Sequence, residues 1–505
     1  MPQGCFNFKY VQSKTNSGQT AYAGLGVYFD LLKQLDFPEL VNGTVNVSGD
    51  QGWNDWQHLL CLILLNLCGG DCVDDVSHLS NDEGLCRLVR HFEKSLNSTE
   101  RKSLKKRFRK GRQSTFPSAS SQLRYLKRFH IDSVSALGGV SGAYIPELSP
   151  GLAGLGLLNM ELLGFMQANR GSKVATLDID ATLVESEKLD ARMCYKGFKG
   201  YQPVNVYWHE QAMVLHSEFR DGNVPAGHDL KRVFEESLSH LPAGVNRVFL
   251  RSDSAGYKYE LLDYCHDETK ANYGRINFCV SSMSGGEFKK AVSELAEDDW
   301  QPIYKEVGSC KVESGQQWAE VDYVPSRRGF KVDAPLYRYL VVREKIRQPV
   351  LEEFDSDEAY DFPTAVCSGK RYRISGYVTN MDWHGETLIH WTRKRCGQSE
   401  HIHSIMKNDF AGGKLPCAEF GANACWWLVM ILSLNLHAII KELVFDSSWR
   451  RRRMKAVRFG IINIAARVVN RSRQLHIVLS KGEAMAEVLI GWRRKILGLI
   501  PLPAG

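Results

Sequence analysis

Asp178, Asp180 and Thr182 fall at every second position of the stretch Val174 to Glu185, VATLDIDATLVE. On an extended strand this spacing turns all three polar side chains to one face and Leu177, Ile179 and Ala181 to the other. Two carboxylates on one face repel each other unless positive charge sits beside them, and a divalent cation is one way to supply it. Farther along, Asp253 follows the apolar strand pattern Val245 to Leu250. Glu400 stands in RCGQSEHIHSIMK, where Gly397 and Ser399 point to a helix start. Three carboxylates can hold two hard cations about 3.5 to 4 Å apart, one activating an attacking oxygen and the other stabilising the leaving oxygen of a phosphodiester. The candidate set is therefore Asp180, Asp253 and Glu400, with Asp178 open as their neighbour or as the ligand itself. Lys407 lies seven residues after Glu400, two turns on and on the same helix face. Arg395 falls just before the expected helix start, and both cations could hold phosphate oxygens.

The elements that must carry these residues can be read in order. Tyr28 to Val41 and Trp56 to Leu67 have the apolar content of packed helices, and Ser80 to Asp82 offers a further helix start. Gly151 to Gln167 is a Leu-rich helix leading into the acidic strand. Lys199 to His209 and Ala212 to Glu218 read as strands, His228 to Leu241 as a helix, Val245 to Leu250 as a buried strand, Tyr257 to Cys265 as a helix and Ile276 to Ser282 as a strand. Three strands, helix, strand, helix, strand is the order of a ribonuclease-H-like α/β sheet. From Met283 to Trp383 the pattern is β-rich, with strand-like alternation at Gln317 to Val324, Tyr337 to Arg343 and Tyr372 to Thr379, which reads as an inserted β domain. Helical pattern resumes at Glu386 to Lys407. The expected organisation is a helical N-terminal region at 1–115 for DNA binding and dimerisation, the core at 116–282, the insertion at 283–385, the end of the core at 386–445 and a basic C-terminal region at 446–505.

With 505 residues the chain is long enough for more than one core. Its net charge of +7 is modest on average but clustered. Arg101 to Arg112, RKSLKKRFRKGR, holds eight Lys or Arg in twelve residues and no acid. A block so dense repels itself, and a phosphate backbone is its usual partner through counterion release. Arg101, Lys105, Lys106, Arg107 and Arg109 are its candidate DNA contacts, set against the plain alternative of a solvated helix face. The thirteen cysteines run from Cys5 to Cys425 without the spacing of a secreted disulfide scaffold or a CxxC pair. No signal peptide is read at the start, so reduced thiols in a cytoplasm are expected. The longest apolar run, Ala424 to Ile440, is interrupted by Ser433, Asn435 and His437 and reads as a buried helix instead of a membrane span.

LDIDATLVES, YKGFKGYQP, FRDGNVPAG, LRSDSAGY and RCGQSEHIHSIMKNDFAGGKLPCAEFGANACWW together resemble a DDE transposase of a bacterial insertion sequence, of the family known as thirteen-eighty. The similarity runs from roughly Phe116 to Leu443. It implies a ribonuclease-H-like core interrupted by a β insertion domain, cut-and-paste chemistry on terminal inverted repeats and target DNA, and Mg²⁺, with Mn²⁺ as the alternative ion. By motif it makes Asp180, Asp253 and Glu400 the catalytic acids. It also implies a homodimer joining two DNA ends, a hairpin route for the second strand, a nucleoid-associated protein in the bacterial cytoplasm, and no membrane partner. Related enzymes carry Tyr-x2-Arg-x3-Glu-x6-Lys. Here the Glu-x6-Lys half is intact, Trp391 stands near the Tyr position, and Arg395 is one residue farther from Glu400. Trp318, in the insertion, is a candidate for base stacking, beside the plainer reading of a β-domain core residue.

Two rivals use the same residues differently. DIDATLV matches the signature of haloacid-dehalogenase-like phosphatases, with Asp178 as nucleophile and Asp180 as general acid, but no downstream acidic pair of that family follows. A non-catalytic DNA-binding protein would use Arg101 to Arg112 and Arg450 to Arg453 on phosphate and keep the acids for structure.

Overall fold

The computed structural model describes residues 18–108, 111–131, 142–269, 272–308, 310–326, 334–347, 350 and 356–502. At its centre, strands β1 (Val174–Ala181), β2 (Val204–Trp208) and β3 (Met213–Glu218) form an antiparallel meander. β4 (Arg247–Ser252) then pairs parallel to β1, and β5 (Asn277–Ser282) parallel to β4. The spatial order β3-β2-β1-β4-β5 is the mixed sheet of a ribonuclease-H-like fold. Lys199 to His209 is two strands and not one. Pro203 has no N–H for a ladder, so Lys199–Tyr201 joins a small three-stranded sheet with Val184–Glu185 and Arg192–Met193, while Val204 onward enters the main sheet.

The segment 283–385 extends that sheet. Strands β6 (Gln301–Val307), β7 (Cys310–Val321), β8 (Arg338–Lys345), β9 (Thr364–Cys367) and β10 (Lys370–Thr379) follow in chain order. β10 pairs antiparallel with β5 from Gly376↔Ser282 to Thr379↔Cys279, giving one ten-stranded sheet of order β6-β7-β8-β10-β5-β4-β1-β2-β3 with β9 on β10. Ladder hydrogen bonds therefore run without a break from the inserted strands to the acidic strand.

Helices pack on this sheet. α1 (Pro150–Asn169) begins at Ser149, whose hydroxyl accepts from the Leu152 N–H, and its Asn159 donates to the Val214 and Leu215 carbonyls of β3. α2 (Leu230–Ser239) and α3 (Tyr259–His266) flank β4 in the chain. α4 (Gly385–Asn408) runs unbroken for 24 residues. The expected start at Gly397 and Ser399 is thus corrected, and Arg395 lies inside the helix. Gly397 is exposed with open space around it, so it weakens the helix by only about 1 kcal/mol and does not end it. α5 (Phe420–Ile439) is buried along nearly its whole length. It is the one helix, among the described residues, long and apolar enough to cross a membrane, and its burial inside the protein makes it a core helix.

The N-terminal helices wrap α5. Helix Asp55–Cys68, started by a reciprocal Asn54 and Gln57 capping box, packs against it. The expected helix Tyr28 to Val41 is two, Leu25–Gln34 and Phe37–Thr44. Asp36 takes a positive φ of 47° between them and Pro38 opens the second. At the other end, the hairpin Ala466–Arg471 and Gln474–Leu479 pairs with Gln19–Thr20, so the C-terminal region closes on the N-terminal one.

Candidate active site

β1 presents Asp178 and Asp180 on one face, as the alternation requires, and each meets an arginine. Asp178 pairs with Tyr207 of β2 and Arg251 of β4 in the ladder. The Arg251 guanidinium donates Nε to Asp178 Oδ1 at 2.6 Å and Nη2 to Oδ2 at 2.8 Å. Both side chains are 1% exposed. Nη1 of Arg251 donates to the Trp391 carbonyl of α4 at 2.8 Å, and the guanidinium lies 5.0 Å from the Trp391 ring centroid. Every oxygen of Asp178 is thereby engaged by a charge that cannot leave, which removes it as nucleophile or as metal ligand in this arrangement.

Asp180 is held more loosely. Arg395 of α4 donates one bond, Nη1 to Oδ2, at 3.1 Å, and Asp180 keeps 21% of its side chain exposed. Burial first and the Asp253 carboxylate second push its carboxyl up to about 6, against the opposing pull of Arg395, the Ala181 N–H and the Ser399 hydroxyl. Asp253 directly follows β4, and Ile179 pairs with Ser252 in the parallel ladder, so Asp180 and Asp253 stand level at the carboxyl ends of neighbouring strands. Asp253 caps a single 3₁₀ turn by accepting from the Ala255 N–H at 3.0 Å, which fixes its orientation.

Glu400 is not drawn into this pair. Arg395 and Ser399, one turn apart on α4, face Asp180, and Glu400 lies one residue beyond Ser399 with its side chain exposed. Among the described residues no three His, Cys, Asp or Glu side chains stand close enough together to hold a metal ion. Two carboxylates level at the ends of neighbouring strands, one of them already drawing positive charge from a guanidinium, nevertheless suit a divalent cation. Glu400 sits on the border of the same helix face as Lys407, whose Nζ donates to the Leu183 carbonyl just past β1 at 3.4 Å. Burial and the nearby Lys196 ammonium both lower the Lys407 pKa.

Sequence reasoning missed Arg251, Ser399 and His403. His403 is half-buried with its pKa lowered to about 4, chiefly by desolvation, and its Nε2 meets Asn205 Nδ2 at 3.3 Å, Asn205 being the ladder partner of Asp180. The signal for Ser399 and His403 was the helix period, since 395, 399 and 403 form one stripe, whereas Arg251 on β4 had no local signal. Trp318 is only 4% exposed and packs edge-on against His384, at the start of α4, where a Cβ on Gly385 would overlap its ring. Its ring is core and is not presented for stacking. Of the basic block, Arg101, Lys105 and Lys106 are exposed on helix Ser98–Lys106. Arg107 instead ties down a loop, donating to the Gly49, Gly52 and Trp53 carbonyls. Arg109 lies outside the described residues.

A family model described as "Transposase DDE domain group 1" matches residues 52–324 and 364–498, which is more than half of the chain. The chain belongs to that family. It is a DNA-cleaving transposase of the DDE type, with DNA as partner and divalent cations as cofactors. The gap in the match, 325–363, falls within the segment that adds strands to the sheet of the transposase. No curated protein matches it significantly. Among solved structures, a cryo-electron-microscopy structure of a piggyBac transposase synaptic complex with hairpin DNA is similar over 97% of this chain and 86% of that one, at 8% identity and a TM-score of 0.44. A likeness at that level carries no argument about the transposase. The phosphatase reading has no support, and its nucleophile is the carboxylate locked by Arg251.

Proposed function

We propose that this transposase cuts DNA at the terminal inverted repeats of its own element and joins the freed ends to target DNA, as a member of the insertion-sequence family thirteen-eighty acting on the bacterial nucleoid. The observation that carries this reading is the level pairing of Asp180 and Asp253 at the ends of adjacent parallel strands, with Asp253 close enough to act on the Asp180 carboxylate. Asp180 and Asp253 would hold Mg²⁺, or Mn²⁺ in its place, with Glu400 as the third ligand supplied from α4. When bound, the ions activate the attacking oxygen and stabilise the leaving one. The residues of the chain do the rest. Ser399 and the Ala181 N–H orient Asp180, and the 3₁₀ cap orients Asp253. Arg395 against Asp180 and Lys407 farther along α4, at the Leu183 carbonyl past β1, are suited to hold phosphate oxygens. Exposed Arg101, Lys105 and Lys106 supply backbone contacts farther along the duplex. A homodimer would bring two ends together, and a hairpin on the flanking or element end is the proposed route for the second strand.

The test is cleavage of end-bearing DNA by the purified full chain with and without Mg²⁺. Asp180→Ala, Asp253→Ala and Glu400→Ala should each abolish cutting while leaving binding to the repeats intact. Undiminished cutting by any one of them would remove that residue from the site.

A further inference from the structure

Between Asp446 and Glu483 the chain places ten Lys or Arg and no acid, and the densest run, Arg450 to Lys455, has no part in the site described above. Like charges so close repel one another and spread into solvent unless something holds them. Here the fold holds them. Asp446 starts the short helix Ser447–Arg450 by accepting from the Ser448 and Trp449 N–H groups, at 3.0 and 3.2 Å. Arg453 donates Nη2 and Nε to the two oxygens of Asp409, at 2.7 and 3.1 Å, and the helix Met454–Val457 begins directly after it. A π-helical turn, Arg458–Ile462, follows. Its Gly460 lies so near the Trp449 ring that a Cβ there would stand 2.6 Å from it, so the two ends of the basic turn pack directly on each other.

The charge is not balanced where it stands. Arg450, Arg451 and Arg452 are exposed and, among the described residues, pair with no carboxylate. Arg452 is also pre-set: its Nε donates to the Ser448 carbonyl at 3.3 Å and its guanidinium lies 4.4 Å from the Trp449 ring centroid. Asp409, the carboxylate that Arg453 meets, is fully buried, and the exposed Lys455 ammonium stands 3.8 Å from the same oxygen. By contrast Arg232 alone meets Glu218, Asp229 and Glu236. The place of the turn ties it to the chemistry. Asp409 is the residue after α4, and Arg453 Nη2 donates to Ser404 Oγ at 3.3 Å. Ser404 follows Glu400 by four residues, one turn along the same stripe of that helix.

We propose that Arg450, Arg451, Arg452 and Lys455 form a second DNA-binding surface, which takes phosphates of a duplex running past the C-terminal end of α4 and holds it against Glu400. The contact is to the backbone and independent of sequence, because base readout needs an element long enough to enter a groove and each helix here is a single turn. The occupant is DNA and not an acidic protein, because the chain belongs to a DNA-cleaving family and the turn is anchored on the helix that carries Arg395 and Glu400. This inference rests on the proposed cutting of DNA at Asp180, Asp253 and Glu400.

The experiment measures binding of the full chain, without divalent cations, to fluorescent duplexes over a series of salt concentrations. The duplexes carry the element's end with flanking DNA, the end alone, or an unrelated sequence. Arg450→Ala, Arg451→Ala and Arg452→Ala combined should lower the slope of log affinity against log salt by about three contacts. Lys at the same three positions should restore the slope, since a phosphate contact of this kind needs the charge and not the guanidinium fork. A loss seen only with flanking DNA present would support the surface and assign it to the flank. A loss on the unrelated duplex too would support it and assign it to any duplex, target DNA included. With Mg²⁺ the triple Ala variant should need more DNA for half-maximal cutting and reach the parental rate at saturation. Its melting temperature should not change, whereas Arg453→Ala, which leaves Asp409 buried without its partner, should lower it. Parental salt slopes on all three duplexes would overturn the inference, and a loss of binding to phosphatidylglycerol vesicles alone would reassign the turn to a membrane surface. A parent protein that binds its ends without cutting them would overturn the function reading and not this surface.

Discussion

Asp178 and Asp180 lie two residues apart on one strand face, yet Arg251 holds Asp178 through two bonds of 2.6 and 2.8 Å while Arg395 holds Asp180 through one of 3.1 Å. The first pair is sealed and the second is partly open to solvent, which separates an acid kept for structure from one free to change partners. Removing one member of a buried pair strands the other. Asp178→Ala should therefore lower folding stability by about 3 to 5 kcal/mol, read by chemical denaturation, whereas Asp180→Asn should leave the chain folded and DNA-binding but unable to hold Mn²⁺.

A divalent ion held by Asp180 would compete with Arg395 for the same carboxylate oxygen. Arg395→Gln should tighten Mn²⁺ binding to the DNA-free protein by about tenfold, measured by electron paramagnetic resonance, because about 1.4 kcal/mol of competing attraction is removed. The same variant should cut more slowly, having lost a phosphate contact. Equal Mn²⁺ affinity would show that Arg395 does not shield Asp180.

Trp318 is a packing residue in this fold. Trp318→Ala should destabilise the chain by about 3 to 5 kcal/mol, and Gly385→Ala should also destabilise it, since the added methyl meets the indole. Neither effect should depend on DNA. A normal melting temperature with weakened DNA binding would return Trp318 to the interface.

His58 carries an acid-sensitivity of its own. It is buried against Tyr125, with ring centroids 4.1 Å apart, and shares a 2.9 Å hydrogen bond with Gln122. Burial lowers its pKa to about 4. The unfolded chain takes up a proton near pH 6.5 and the folded chain does not, so this stabilisation is complete above about pH 6.5 and is lost as the pH falls toward 4. His58→Gln should flatten the decline of stability between those pH values by roughly 3 kcal/mol, measured by denaturation at stepped pH.

Within the basic block the structure separates two roles. Lys105→Ala with Lys106→Ala should reduce the salt slope of DNA binding by about two contacts without altering stability. Arg107→Ala should instead destabilise the loop it holds through three carbonyls.

The sequence by itself determined the order of the sheet and the face of the acids. A strand has period two, so Asp178 and Asp180 had to point the same way, and three strands, helix, strand, helix, strand leaves few ways to build an α/β sheet. Neither needs a tertiary contact: the first is written in the succession of elements along the chain and the second in the period of a single strand. Only the tertiary structure decided which acid is locked, because the residue opposite Asp178 belongs to a strand some seventy positions later. Only docking decided that Ser399 and not Glu400 faces Asp180, since the stripe of α4 that meets the sheet is chosen by packing. The same holds for Trp318, whose burial depends on the meeting of β7 with the start of α4.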